Sequence, residues 1–319
     1  MPPLRAWGRR FLLPAVGTLM WSVLTASSAA AQQTHVLIVS GLSGDPAFKR
    51  SFQQIAATVQ DAARQRWGVA DSSVIVLTED SVRSPRSRGQ ATREAIGRAM
   101  LTLSTRTRPG DVVLVLLLGH GSGEGAGSKV NLPGPDATAS DYAGWIAGFA
   151  RQTVVFINTA TGSGDFLPVL QGPNRVIITA TRSAVERNAS VFGEQLAAAL
   201  SGEAADSDKD GRISVLEVFR YATREVAKVY DSSQRLQTEH AQLSDSTRAL
   251  TISFGPSAAA ADPRMAALVA ERQALEAEVA ALRGRKATME SAAYERELER
   301  LLLAIAEKTQ AIRALEGKR

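Results

Sequence analysis

Two stretches constrain this chain more than any others. Val112 to Gly125 reads VVLVLLLGHGSGEG, and Val154 to Phe166 reads VVFINTATGSGDF. Each is an unbroken apolar run that stops abruptly in glycines and small polar residues. Such a run, bounded by turn residues, predicts a strand buried on both faces, the kind found in parallel sheets covered by helices. Ligands and catalytic groups in open parallel sheets collect just past the carboxyl ends of these strands. The first run ends in His120. The second ends in Thr161 and Ser163, among glycines that allow close backbone approach.

The rest of the first 254 residues repeats the alternation of strand and helix. HVLIVS at His35–Ser40 predicts the first strand. After a turn, Pro46 suits the first position of a helix, where its missing N–H costs nothing. Phe48, Phe52, Ile55, Val59 and Ala62 then recur at the spacing of an amphipathic helix. Further strands are expected at Ser73–Thr78, Arg175–Thr181 and Ala249–Phe254. Further helices are expected around Ala95–Leu103, at Ser140–Ala150 and at Val191–Leu200. Ser81–Gln90, with Arg83, Arg86 and Arg88 around Pro85, reads as a surface loop. The alternation predicts an α/β fold with a mostly parallel sheet and helices on both faces.

The two strand ends resemble the caspase-like cysteine peptidases, most closely the legumain branch. There one strand ends in His-Gly or His-Gly-Ser and the next in Ala-Cys-x-Ser-Gly. Here the matching residues are His120-Gly121-Ser122 and Ala160-Thr161-Gly162-Ser163-Gly164. The resemblance spans roughly Thr34 to Phe254 and implies a caspase-like three-layer sandwich. It departs at the nucleophile: Thr161 stands where the family has cysteine, and the chain has no cysteine at all. A thiol is nucleophilic because a useful fraction ionises near neutral pH. A threonine hydroxyl does not, and needs a general base held against it. Three readings follow. The module is a catalytically silent pseudopeptidase; or it is a hydrolase, peptidase or esterase, using His120 with Ser163 or Thr161; or His120 merely ends a strand and satisfies loop carbonyls. Asp165 and Glu124 are the nearby acids that an active His120 would look to.

A second motif follows at Asp206–Glu217, DSDKDGRISVLE. It fits an EF-hand calcium loop at every specified position. Asp206, Asp208 and Asp210 hold positions one, three and five, and Gly211 makes the turn at six. Arg212 offers its backbone carbonyl at seven, Ile213 is the apolar anchor at eight, Ser214 acts through water at nine, and Glu217 closes the loop at twelve. Calcium wants six to eight oxygens, which this spacing wraps around one point. The alternative is an acidic helix-capping loop. Only one such loop is visible, so the pairing of loops that tightens most sensors is expected to be missing.

Past Gly255-Pro256 the chain becomes rich in Ala, Leu, Glu and Arg. Leu268, Leu275 and Leu282 are seven apart, as are Leu298, Ile305 and Ile312. That is heptad patterning. Arg283–Ser291 interrupts it and contains Gly284, so two antiparallel helices folded as a coiled-coil hairpin are preferred to one long helix. The organisation expected is a signal peptide at 1–31, an α/β domain at 32–256 carrying the loop 206–217, and a linker and hairpin at 257–319. Residues 262–319 are the expected contact for an unknown protein partner, with self-packing or homo-oligomerisation as the alternative.

Arg5, Arg9 and Arg10 precede an apolar stretch from Phe11 to Ala26, and Ser28-Ala29-Ala30-Ala31 supplies small residues for cleavage after Ala31. The stretch is shorter than the ~20 residues of a spanning helix. The expectation is therefore an exported protein, periplasmic or secreted, with no integral membrane segment after cleavage. Residues 1–31 carry three arginines and no acid, so removing them lowers the net charge from +5 to +2. No basic run with interleaved aromatics remains, which argues against nucleic-acid binding. The lack of cysteine rules out disulfides, thiolate catalysis and cysteine-based zinc sites.

Overall fold

The computed structural model describes residues 32–80, 86–208, 212–254 and 263–316. The expected signal peptide, the tip of the arginine loop (81–85), Asp210 and Gly211, and the linker before the C-terminal helices lie outside the described residues.

The chain begins with β1 (Thr34–Ser40) and enters α1 (Pro46–Gln65), where Asp45 caps the helix by accepting from the Ala47 N–H and Pro46 takes the first turn. Next come β2 (Val74–Thr78), the short β3 (Gly89–Gln90) and α2 (Arg93–Arg106). The first marker run is β4 (Val112–Leu118), with all seven residues buried. Each such Val or Leu contributes about 1.5–3 kcal/mol by leaving water. After β4 a small antiparallel ribbon, β5 (Gly121–Ser122), β6 (Lys129–Val130) and β7 (Ala137–Thr138), leads into α3 (Ala139–Ile146). The second marker run is β8 (Thr153–Asn158), followed by α4 (Phe166–Leu170) and β9 (Arg175–Thr179).

The central sheet runs β9-β8-β4-β1-β2-β3 in parallel. Register pairs Ile38 with Val76 on one side and with Leu116 on the other, and Leu116 with Ile157. Side chains alternate between two cores. Val36, Ile38, Leu116 and Ile157 pack beneath α1, α5 (Phe192–Ser201) and α6 (Val215–Ser232). Leu37, Val39, Leu117 and Phe156 pack beneath α2, α3 and α4. The result is three layers: helices, a mostly parallel sheet, helices. From β1 the chain moves outward to β2 and β3, then returns to build β4, β8 and β9 on the other side. The sheet's switch point therefore lies between the carboxyl ends of β1 and β4.

Between α5 and α6 the described chain resumes in β10 (Ile213–Ser214). Beyond α6, β11 (Gln242–Leu243) adds an antiparallel edge to β9. The strand expected at Ala249–Phe254 is corrected. Its first half belongs to a short helix, α7 (Ser246–Thr251), capped by Asp245, and only β12 (Ser253–Phe254) is extended. Ala249, Ile252 and Phe254 are all buried in one core, which a helix and a strand cover together.

α8 (Pro263–Gly284) and α9 (Ser291–Glu316) pack on each other through Leu275, Val279, Leu282, Tyr294, Leu298, Leu301 and Ile305. Ion pairs Glu278–Arg300 and Glu271–Lys308 fix their direction: moving back along α8 moves forward along α9, so the two helices are antiparallel.

Candidate functional site

His120 follows β4 at the switch point. Its ring stands edge-on to Phe48, 4.7 Å between centroids, and tilts against Phe52 at 5.6 Å, both on α1. Nε2 lies 3.1 Å from the Ser43 carbonyl oxygen. A carbonyl only accepts, so Nε2 carries the proton, which leaves the lone pair of the neutral ring on Nδ1. The Ser43 turn is itself held. Its N–H and hydroxyl both donate to Glu79 Oε2 at 2.8 Å, and Glu79 pairs with Lys49. Partial burial pushes the Glu79 carboxyl up, but the Ser43 donors and Lys49 outweigh this and hold it below the usual carboxylate range.

Thr161 is buried beside this ring on the turn after β8, where its Oγ1 accepts from the Gly121 N–H at 3.2 Å. Gly121 has to be glycine: a Cβ there would sit 2.5 Å from the Thr161 carbonyl oxygen. Gly162 takes φ +63, the left-handed turn that directs the chain into α4. A cavity of about 220 Å³ opens between α1 and these turns, lined by Phe48, Phe52, His120, Thr159, Thr161 and Val191.

Ser163 is elsewhere. The residue is 1% exposed, and its Oγ accepts from the Ala180 and Thr181 N–H groups at 3.1 and 3.2 Å. It ties the β8 turn to the β9 turn and does not line the His120 cavity. Neither the Thr161 nor the Ser163 hydroxyl is hydrogen-bonded to His120. The neighbouring acids do not orient the ring either: Asp165 accepts from the Gly125 N–H at 2.7 Å. Sequence proximity pointed to Asp165 and Glu124, whereas the ring's partner is a backbone carbonyl 77 residues away. No side-chain signal marks a carbonyl partner.

The acidic loop is the second site. Asp206, Asp208 and Glu217 each bring a carboxylate oxygen within 4.8 Å of the others. Asp206 and Glu217 are buried, and the Asp208 side chain is 42% exposed. Ser214 is the N-cap of α6 and forms a reciprocal box with Glu217. Its hydroxyl accepts from the Glu217 N–H at 3.2 Å, and Glu217 Oε2 accepts from the Ser214 N–H at 2.9 Å. Glu217 Oε1 accepts from the Ser207 N–H and hydroxyl. The Ser214 hydroxyl is thus engaged with Glu217. Arg212 leads into β10, and Asp210 is outside the described residues. The all-oxygen carboxylate set suits a hard divalent cation.

Two features here were not visible in the sequence. Ile213 and Ser214 pair in antiparallel fashion with Phe254 and Ser253, so β12 braces the end of the acidic loop. Phe254 is clamped by Trp67, ring centroids 4.7 Å apart. From α8, Arg272 reaches the loop: its Nη1 lies 3.7 Å from Asp208 Oδ2, and its Nε lies 3.3 Å from Glu276.

No protein-family model matches the sequence, and no curated protein matches it significantly. Among solved structures, the chain is similar to the crystal structure of protein GSU0716 from Geobacter sulfurreducens. The TM-score is 0.42 and the identity 11%, over 70% of this chain and 94% of that one. A likeness of that size carries no argument about function.

Proposed function

We propose that this chain is an exported, catalytically silent caspase- or legumain-like module that binds calcium at Asp206–Glu217 and presents its C-terminal coiled-coil hairpin to a protein partner. The observation that carries the calcium part is the convergence of Asp206, Asp208 and Glu217 at the start of α6. Asp210 and the Arg212 carbonyl complete the expected ligand set. Bound calcium supplies charge neutralisation among the carboxylates and no chemistry. Silence is supported by the two hydroxyls: Thr161 is engaged with Gly121 N, and Ser163 is built into a turn. The partner role is supported by Leu303, 60% exposed, beside the half-exposed Leu302 on α9.

Thermal unfolding tests the calcium reading. Calcium at ten times its Kd, binding the folded form alone, adds about 1.4 kcal/mol. Affinity is expected at about 10⁻⁴ to 10⁻³ M, the range of extracellular modules. Millimolar calcium should raise the melting temperature of the wild type, magnesium should do so poorly, and chelator should reverse the effect. Asp208→Asn, which spares the Ser214–Glu217 cap, should lose most of the shift, and Glu217→Gln all of it. Equal shifts in all three proteins, or in none, would exclude a calcium site here. The second reading, a hydrolase built on His120 and Thr161, is favoured by the cavity that both residues line. Turnover of a peptide or ester panel that disappears in His120→Ala would replace the silent module with that enzyme.

A further inference from the structure

We infer that Arg272 is a tethered cation that competes with calcium for Asp208, so that calcium loading of the loop and docking of the C-terminal helix pair oppose each other. The inference rests on the calcium reading above. Arg272 is nearly buried, with 5% of its side chain exposed, at a contact between α8 and the acidic loop. Its guanidinium is shared between Asp208 on the loop, at 3.7 Å, and Glu276 one turn along its own helix, at 3.3 Å. The helix pair therefore touches the α/β body at one of the carboxylates that calcium would take.

Charge decides the outcome. Calcium–carboxylate bonds are about 2.3–2.6 Å, so an ion held by Asp208 Oδ2 lies at most about 6 Å from the Arg272 nitrogen. Two positive groups at that separation repel, and the burial of the Arg272 side chain weakens the screening of that repulsion. Asp208 is the exposed member of the acidic triad and the member that α8 reaches. Glu276 can keep Arg272 paired once Asp208 turns to calcium, which makes the exchange feasible without stranding a buried charge. Beside this contact is a cavity of about 320 Å³ between the loop and the helix pair, lined among others by Glu217, Arg220, Glu276 and Arg283. Further cationic side chains thus border the same gap and favour its opening when the loop gains two positive charges.

The test is calcium titration by calorimetry on the full chain and on three variants. Arg272→Met keeps the apolar stem and removes the competitor, so affinity should rise about tenfold, within the ~5–150-fold of ordinary coupling. Arg272→Lys keeps the charge and should stay near the wild type. Glu276→Gln leaves Arg272 more fully on Asp208, so affinity should fall. The absence of cysteine permits a clean second readout: spin labels on Thr105→Cys and Leu303→Cys should show a longer or broader distance distribution with calcium, and no calcium response in Arg272→Met. Equal affinity in wild type and Arg272→Met overturns the inference and leaves the calcium site intact. A rise in Arg272→Lys matching that in Arg272→Met also overturns it, because lost packing and not lost charge would then be responsible. No binding in any of the proteins removes the calcium reading itself.

Discussion

Ser163 shows how a residue type can mislead about its role. Serine two positions beyond Thr161 invites a catalytic assignment, but here its oxygen accepts from two buried N–H groups of the turn after β9. The Ala180 N–H also donates to the Asn158 carbonyl, so Ser163→Ala strands only the buried Thr181 N–H and should cost about 1–3 kcal/mol, the range for one unsatisfied buried donor. It should leave any hydrolytic activity of the surviving fold unchanged. Urea unfolding and a peptide panel on the same preparation check both halves. Asp141 is a second residue with a structural task. The Arg93 guanidinium, together with the Thr138 donors of its helix cap, lowers its carboxyl from 3.8 to about 2. A carboxyl that is more acidic folded than unfolded stabilises the fold above its unfolded pKa, and that contribution is lost as pH falls through the folded one. The pair is partly open to solvent, so the contribution is about 1 kcal/mol after screening. Asp141→Asn should be less stable than wild type by that amount at pH 7, and the gap should close between about pH 4 and pH 2, as measured by denaturant melts across that range.

At the scale of elements, the C-terminal helix pair has its own apolar seam and its own cross-helix ion pairs, yet it also reaches the loop of the α/β body through Arg272. Ending the chain after Phe254 should leave the sheet folded, because every described strand and both of its cores precede that point. Circular dichroism should keep its strand signal while losing the helical contribution of α8 and α9. Collapse of the whole signal would make the helix pair part of the core. β12 is the element to watch in such a truncation. It is two residues long, ends at the cut, and supports the acidic loop by pairing with Ile213 and stacking Phe254 on Trp67.

For the whole molecule, no helix among the described residues is long and apolar enough to cross a membrane. The proposed export depends on residues 1–31. If the signal is processed after Ala31, the protein recovered outside the cytoplasm begins at Gln32, and N-terminal sequencing or intact mass will show it. A mass that retains residues 1–31 would indicate an uncleaved anchor instead. Both candidate sites sit where the architecture places them: His120 at the switch point between β1 and β4, and the acidic loop at the start of α6, the helix covering one face of the sheet.

The order of the long elements through β9 was legible in the sequence, because strands buried on both faces must be continuously apolar and helices must carry a stripe; β3, inside the segment read as a surface loop, the β5–β7 ribbon and α4 were not, being too short to show a period. Val112–Leu118 and the Phe48–Ala62 series leave no other arrangement of their apolar surface. The acidic loop was legible for a related reason: its candidate ligands lie within twelve consecutive residues, so local spacing alone brings Asp206, Asp208 and Glu217 together. Where contacts span long stretches of chain, the sequence was silent. Nothing near His120 announces that its ring is held by the Ser43 carbonyl, and nothing near Asp208 announces Arg272, 64 residues on. Ala249–Phe254 misled because six largely apolar residues are too few to distinguish a strand from a short helix and strand covering one core. Local periodicity fixes which face of an element is apolar. Which distant group meets that element's polar end is settled only when the layers close and each buried donor and charge has to find a partner among whatever the packing brings near.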